Sequence, residues 1–414
     1  MKKWLPFAVL VVVLLHGCTR DRSPLSPGQE QVICPQRHIP WPSLANSTWP
    51  VRWGDTQNTA RGRCRGPDMG TVAWRFTIPS GSADPFIALV VGNEGTLYFG
   101  CYSHFPYQNP PRYLFALRRD GSLYWQKELG TQGEIIGPLV LSAGNVQVVV
   151  GKYASLYTFA PDGSLLSMAP TGIVYLESPS PGVGLDGTLY LVHPEGKCYA
   201  LEPSGNIRWS TQLKDTYGWF PSVAVSPSGA LLYASGPDAS RSASLVAVQA
   251  GSGALLWEAP SSRYSSPPVV DSEGNVYYTR LREQTGFVLC SLTEEGTLRW
   301  ESKEAVRGNS NLALAADGAI YACGENNSLL CFDCAGHLRW RVPFGVDAPP
   351  QPGVLVIDER GNAYVFLSTH LVAFDRSGRA LFACPLPSVD SPLAAALAEA
   401  RVYLLGENTV LCVE

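Results

Sequence analysis

Charge is scarce in this chain. Asp, Glu, Lys and Arg make up only 16% of its 414 residues, and the formal net charge is −4. No basic stripe is present to neutralise phosphates, which argues against a nucleic-acid partner. The apolar run at residues 5–15 is too short for a helix that spans a bilayer. The histidines, at 16, 38, 104, 193, 337 and 370, are scattered, and none has the H-E-x-x-H spacing of a metalloprotease. There is also no G-x-S-x-G elbow, phosphate loop or paired-carboxylate motif. These absences remove the common routes to hydrolysis, phosphoryl transfer and metal catalysis, so no catalytic residue, metal or cofactor is assigned.

What the chain does contain is a recurring phrase that ends in tryptophan. It reads VAWRF at Trp74, GSLYWQKEL at Trp125, GNIRWSTQL at Trp209, GALLWEAP at Trp257, GTLRWESK at Trp300 and GHLRWRVP at Trp340. Two weaker copies fill the gaps, GSLLSMAP with Met168 beside the expected position Ser167, and GRALFACP with Phe382 in place of tryptophan. The intervals are 51, 42, 42, 48, 43, 40 and 42 residues, a period that belongs to a four-stranded propeller blade. Between successive tryptophans lie apolar strands separated by Asp-Gly, Glu-Gly and Ser-Gly pairs. Such pairs are hairpin signals, because glycine accepts the positive φ of a tight turn. Each unit is a small antiparallel meander that cannot bury both faces alone, so neighbours must stack around an axis.

Seven full units lie between Trp74 and Phe382, and the C-terminal segment supplies three strands of an eighth. The missing strand stands at the other end, in GTVAWRF. The expected fold is an all-β, eight-bladed β-propeller of four-stranded antiparallel blades over residues 70–414, with the last blade closed by the N-terminal strand. Trp74, Trp125, Trp209, Trp257, Trp300 and Trp340 are blade-structural in this reading.

Ahead of the ring, Lys2 and Lys3 followed by the short apolar run read as an export signal, residues 1–17. Leu15-His16-Gly17-Cys18 is similar to a bacterial lipobox, with His16 as its one departure, and makes Cys18 the lipidation site. Residues 18–48, rich in Pro, Ser and Arg, read as a flexible lipid-anchored tether, and residues 49–69 as a leader that docks on the ring. The expected location is extracytoplasmic, anchored by lipid to a bacterial membrane, the outer one in a Gram-negative host, or at the cell surface. Removing the signal takes away two lysines, so the mature charge is 29 minus 35, or −6. Of the 11 cysteines, Cys290, Cys331 and Cys412 align with the small third-strand residues Ala116, Thr158, Ala200, Ala247 and Ala373, and are expected to be buried and unbonded. The C-x-x-C spacing of Cys331 and Cys334 straddles a strand and its turn within an ordinary repeat, so a structural role is favoured over a redox or metal one. Cys323 with Cys331, and Cys34 with Cys64, are pairings the sequence leaves open.

The leader Trp49-Pro50-Val51-Arg52-Trp53-Gly54-Asp55-Thr56-Gln57-Asn58-Thr59-Ala60-Arg61, with the Gly-turn and tryptophan repeats, resembles bacterial PQQ-like propeller repeat proteins over residues 49–414. The resemblance is specific for fold and weak for function. One branch, the quinoprotein dehydrogenases, implies PQQ and calcium in the central mouth and a disulfide between adjacent cysteines, yet this chain has no Cys-Cys pair. Its inner strands offer a small, neutral set including Pro138, Ser266 and Asn311. A second branch is the eight-bladed lipoprotein of the outer-membrane barrel-assembly machine, which implies a non-enzymatic scaffold. A third comprises envelope or secreted repeat proteins whose ligands the sequence does not name, and the chain is placed there.

Connections on one face of the ring vary in length, at residues 100–113, 211–221, 235–243, 259–267 and 279–286. Variable loops on a regular scaffold are where binding concentrates. They contribute Tyr102, His104, Phe105 and Tyr107, then Tyr217 and Trp219, and Tyr264, Arg280 and Arg282 from adjoining blades. Aromatic rings beside arginine suit protein hot spots and sugar stacking, and equally suit loops packed down onto the ring. The expectation is a non-enzymatic envelope lipoprotein that binds a protein or glycan through this face; the alternative is a quinoprotein-like oxidoreductase using PQQ in the central mouth.

Overall fold

The computed structural model describes residues 32–79, 81–82, 88–103, 111–130, 133–174, 181–193, 195–213, 222–237, 242–262, 264–308, 310–346, 350–386 and 392–414. Eight antiparallel sheets follow one another along the chain. Blade 1 runs from Leu89–Val91 to Leu123–Glu128, blade 2 from Ile135–Val140 to Leu165–Val174, blade 3 from Gly182–Val183 to Ile207–Gln212 and blade 4 from Ser222–Val225 to Leu255–Ser262. Blade 5 runs from Val269–Val270 to Leu298–Val306, blade 6 from Ala313–Leu314 to Leu338–Pro343 and blade 7 from Pro350–Ile357 to Ala380–Pro385. Blade 8 contains Pro392–Ala398, Arg401–Gly406 and Thr409–Val413, completed by the N-terminal strand Val72–Thr77. That closing strand pairs Trp74 with Cys412 and Thr77 with Thr409. Blade 1 departs from four strands, because Gly81–Ser82 adds a short fifth on Leu97–Ser103.

One contact repeats at the blade boundaries. The indole of Trp125 stacks within its own blade on Tyr98, with centroids 5.7 Å apart, and its Nε1 donates to the Pro161 carbonyl of blade 2 at 2.9 Å. The same arrangement joins Trp209 to Ala250, Trp257 to Glu294, Trp300 to Cys334 and Trp340 to Arg376. Trp74 does this across the closure, donating to Arg119 of blade 1 at 3.1 Å. Each indole thereby buries apolar surface against its neighbour and satisfies its single polar group. The turn it covers must present glycine, since a Cβ at Gly296 would lie 2.6 Å from the Trp257 ring. Where Phe382 replaces tryptophan, Gly70, four residues before Trp74, lies against that ring.

The third-strand residue opposite the outer-strand aromatic is Ala116, Ala200, Ala247, Cys331, Ala373 and Cys412 in six blades. In blade 5 it is Ser291, not Cys290, which pairs with Glu301; Ser291 keeps the nine-residue distance to Trp300 that Ala116 keeps to Trp125. Cys290 is nevertheless buried and unbonded, as are Cys331 and Cys412.

Residues 41–66 wind over the ends of the innermost strands. The amides of Val91, Val140, Val225, Val270, Leu314 and Ile357 end the inner strands of six blades, and donate to the carbonyls of Trp49, Pro50, Thr56, Gln57, Thr59 and Ala60 at 2.8 to 2.9 Å. Blade 3 is met by Trp41 Nε1, which donates to the Val183 carbonyl at 2.9 Å, and blade 8 by Thr48 Oγ1, which donates to Leu397 at 2.8 Å. These strand ends surround the central axis, so the leader crosses the mouth of the channel and, together with residues 41–48, engages all eight blades. Trp49 is wholly buried, and Trp53, Asn58 and Ala60 adopt positive φ to make the curve. Residues with side chains at such φ persist only where their surroundings over-determine them.

Cys34 and Cys334 form a disulfide, which corrects both pairings considered from the sequence. Cys34 lies against blade 6, its amide donating to Asp317, whereas the Cys64 carbonyl accepts from Glu359 of blade 7. Cys323 is opposite Leu329, and Cys331 opposite Tyr321, so those two thiols are not partners across their hairpin. Cys64, Cys323 and Cys331 are free and buried, and burial pushes the Cys64 thiol up to about 12.

Candidate functional site

The two faces of the ring differ in what they offer. On the face carrying the second-to-third strand connections, His104, Phe105, Tyr107, Tyr217 and Trp219 lie outside the described residues, as does Cys18. Tyr102 is the penultimate residue of the strand Leu97–Ser103, paired with Arg112. Arg280 and Arg282 lie on the second strand of blade 5, and Tyr264 in the connection that leads from blade 4 into blade 5. The hairpin of Val276–Arg282 and Gly286–Leu292 is tied to the outer strand of blade 4, since Leu281 N donates to Ser262 Oγ at 2.8 Å. Leu281 and Tyr264 are 52% and 53% exposed, which leaves a leucine and a tyrosine half open to water on one rim. Arg280 forms an ion pair with Glu301 on the outer strand of blade 5, and Arg282 lies 3.7 Å from the same carboxylate. Glu301 thus fixes the two guanidiniums in one plane of the rim, and Arg282, with half its side chain exposed, is the more available for a partner.

The opposite face holds a feature that sequence reasoning passed over. A cavity of about 240 Å³ opens between the leader and the segment around Cys34, over blades 5 to 7. Asp55, Gln57, Thr59, Arg61 and Arg63 line the cavity, while Asn58 turns inward to donate to the Val223 and Pro268 carbonyls. The facing wall is Gln36 to Ile39, placed by Gln36 N donating to Ala316 at 2.7 Å and by Gln36 Oε1 accepting from Ser272 N at 2.8 Å. Arg37 pairs with Glu273 at 2.9 Å. His38 is held below its ordinary imidazole value by partial burial, then by the Arg63 and Arg61 guanidiniums, against the opposing charge of Asp55. The signal for this site was present in Arg52, Arg61, Arg63 and Arg65, four arginines in a short leader, but they carry no periodic pattern.

A cofactor of the PQQ type needs polar groups directed into the channel, and the polar atoms of Ser266 and Asn311 are committed elsewhere. Ser266 and Thr279 exchange hydrogen bonds, Ser266 N donating to Thr279 Oγ1 at 2.7 Å and Thr279 N to Ser266 Oγ at 3.1 Å. Asn311 donates to the Leu355 carbonyl at 2.7 Å and accepts from Leu355 N at 3.0 Å. These polar atoms already serve the ring, and the leader crosses one mouth.

Residues 241–410 match the family model described as outer membrane protein assembly factor BamB. The propeller architecture is similar to BamB. The crystal structure of BamB from Moraxella catarrhalis superimposes with a TM-score of 0.59 at 12% identity, over 84% of this chain and 100% of that one. The quinohemoprotein alcohol dehydrogenase of Comamonas testosteroni gives 0.63 at 13% identity, over 88% and 80%. Sqt1 of Saccharomyces cerevisiae gives 0.62 at 13% identity, over 84% and 99%. An alcohol dehydrogenase and an assembly factor thus share this frame, and at such identity the likeness extends to fold alone. No curated protein sequence matches the chain.

Proposed function

We propose that this chain is a non-enzymatic scaffold of the bacterial envelope, held by lipid at Cys18, which captures a protein or glycan through the face carrying the second-to-third strand connections. The observation that carries the reading is the rim of blades 4 and 5, where exposed Leu281 and Arg282 share a hairpin that Leu281 N ties to Ser262, two residues before the exposed Tyr264. An apolar side chain, an aromatic ring and an arginine in one patch are the composition of a binding hot spot. The match to the BamB family model supports a protein partner over a glycan. Tyr102, His104, Phe105, Tyr107, Tyr217 and Trp219 extend the same face in this proposal.

A photo-cross-linking residue placed at Tyr264 in the full chain, in cells, tests it. A discrete adduct is expected at Tyr264, absent at Tyr124 on the outer rim of blade 1, and lost on Leu281→Asp at unchanged melting temperature. The chain should sediment with membranes and leave them on Cys18→Ser. Equal labelling at Tyr264 and Tyr124, or none at either, contradicts the binding face. A wild-type chain that stays soluble contradicts the anchor.

A further inference from the structure

The leader cavity contains a half-buried guanidinium with one sealed, unpartnered nitrogen. Arg61 Nη1 is sealed from solvent and has no hydrogen-bond partner among the described residues. Neither Asp55 nor Glu359, the two carboxylates in the cavity wall, forms an ion pair with Arg61 or Arg63. Asp55 is engaged elsewhere, accepting from Thr59 N at 2.9 Å and from Thr59 Oγ1. An unpaired buried guanidinium nitrogen is costly, and a fold retains it only where something offsets that cost. The walls are built independently of these arginines. Ala60, Thr59 and Gln57 are fixed by their carbonyls to blades 7, 6 and 5, and the facing segment by the Cys34–Cys334 disulfide and by Gln36.

We infer that this cavity binds a small oxyanion with at least two acidic oxygens, held by the guanidiniums of Arg61 and Arg63 with His38 at the open side. A guanidinium presents planar paired N–H donors matched to carboxylate or phosphate oxygens, and the hydrogen bonds it makes to an anion are about twice as strong as neutral ones. The cavity volume of about 240 Å³ suits a small anion, below the roughly 300–1,000 Å³ of sites for drug-sized ligands. Burial lowers the proton affinity of Arg61, the Asp55 carboxylate raises it, and Arg63 lowers it by less, so an anion at this guanidinium would oppose the effect of burial. The site lies on the face opposite the proposed partner rim and does not depend on that reading.

The test titrates the full chain with inorganic phosphate and, separately, with succinate, at constant ionic strength set by sodium chloride. The His38 ring resonances and the melting temperature report binding. One of the two anions should shift the His38 resonances saturably and raise the melting temperature, and the preferred anion distinguishes a phosphate from a dicarboxylate site. Arg63→Gln, at the cavity wall, should weaken that binding roughly tenfold or more, the loss of one charge-assisted pair. Arg376→Gln, an exposed residue on blade 7, should leave it unchanged. Arg61→Gln should abolish binding and is informative only if it folds, which is why Arg63→Gln decides. Absence of a saturable His38 shift with either anion overturns the inference. So does an Arg63→Gln variant that binds like the parent.

Discussion

Gly336 has a φ of +86°, and a Cβ at that position would sit 2.5 Å from the Trp300 ring. Both facts demand glycine, one through backbone conformation and the other through the approach of the neighbouring blade. Gly336→Ala should cost at least about 1–2 kcal/mol, the left-handed penalty of an L-residue, before any displacement of the indole. Gly251→Ala is the control, because nothing lies within 4 Å of a Cβ there and its φ is unexceptional. Urea unfolding of the two variants should separate them by that margin, and equal midpoints would contradict the inter-blade role of the glycine. At this scale the sequence was legible wherever a residue type has one physical role. Trp four residues after Gly is such a pair, and Gly70 before Trp74 identified the closing strand for that reason. Cys290 was placed one residue early, since Ser291 stands nine residues before Trp300 as Ala116 stands before Trp125, so the spacing was there to be counted. Arg61 and Arg63 were not recognised as a site, because the opposite wall comes from a segment whose position is fixed only by the fold.

Among the outer strands, Leu165–Val174 of blade 2 stands apart. It is 10 residues long, carries no charge, and has Ser167 where most blades have tryptophan. Leu165, Leu166 and Met168 are each 54–55% exposed along it. Most other outer strands bear charge, such as LYWQKE in blade 1 and LRWESKEAV in blade 5; ALFACP of blade 7 is also uncharged but is four residues shorter. Charges on an edge oppose pairing with another chain, and their absence leaves a row of backbone donors and acceptors open to it. The wild-type chain should therefore self-associate with rising concentration, and Met168→Lys should suppress this without loss of fold. Sedimentation velocity checks it, and identical concentration dependence in both proteins would exclude this edge as the cause. The weak copy of the repeat announced that blade 2 differs. The length of its strand was not legible, because it depends on a pairing irregularity between Pro170 and Val174.

For the molecule as a whole, two devices close the ring. The strand Val72–Thr77 completes blade 8 from the other end of the chain, so the sheet circuit has no gap between first and last blades. The leader then crosses the mouth and takes backbone hydrogen bonds from successive blades, so that blades distant in sequence share one connecting segment. Blade number and circular closure were legible because a repeat period and a missing strand can be counted. The path of the leader was not, since it is an irregular segment whose partners are the strand ends of the assembled ring. Its consequence for function is direct. With one mouth crossed by the chain itself and Ser266 and Asn311 engaged in the ring, the surfaces proposed for recognition are the loop rim and the leader cavity.

The most direct test of this account is amide hydrogen exchange of Val91, Val140, Val225, Val270, Leu314 and Ile357, the inner-strand residues whose N–H groups donate into the leader. If the leader is an integral part of the ring, all six exchange only through global unfolding, with protection equal to that of mid-sheet amides such as Tyr233 and Tyr277. Fast exchange at these six positions, with the mid-sheet amides still protected, would contradict a crossed mouth and return the channel to consideration as the functional site.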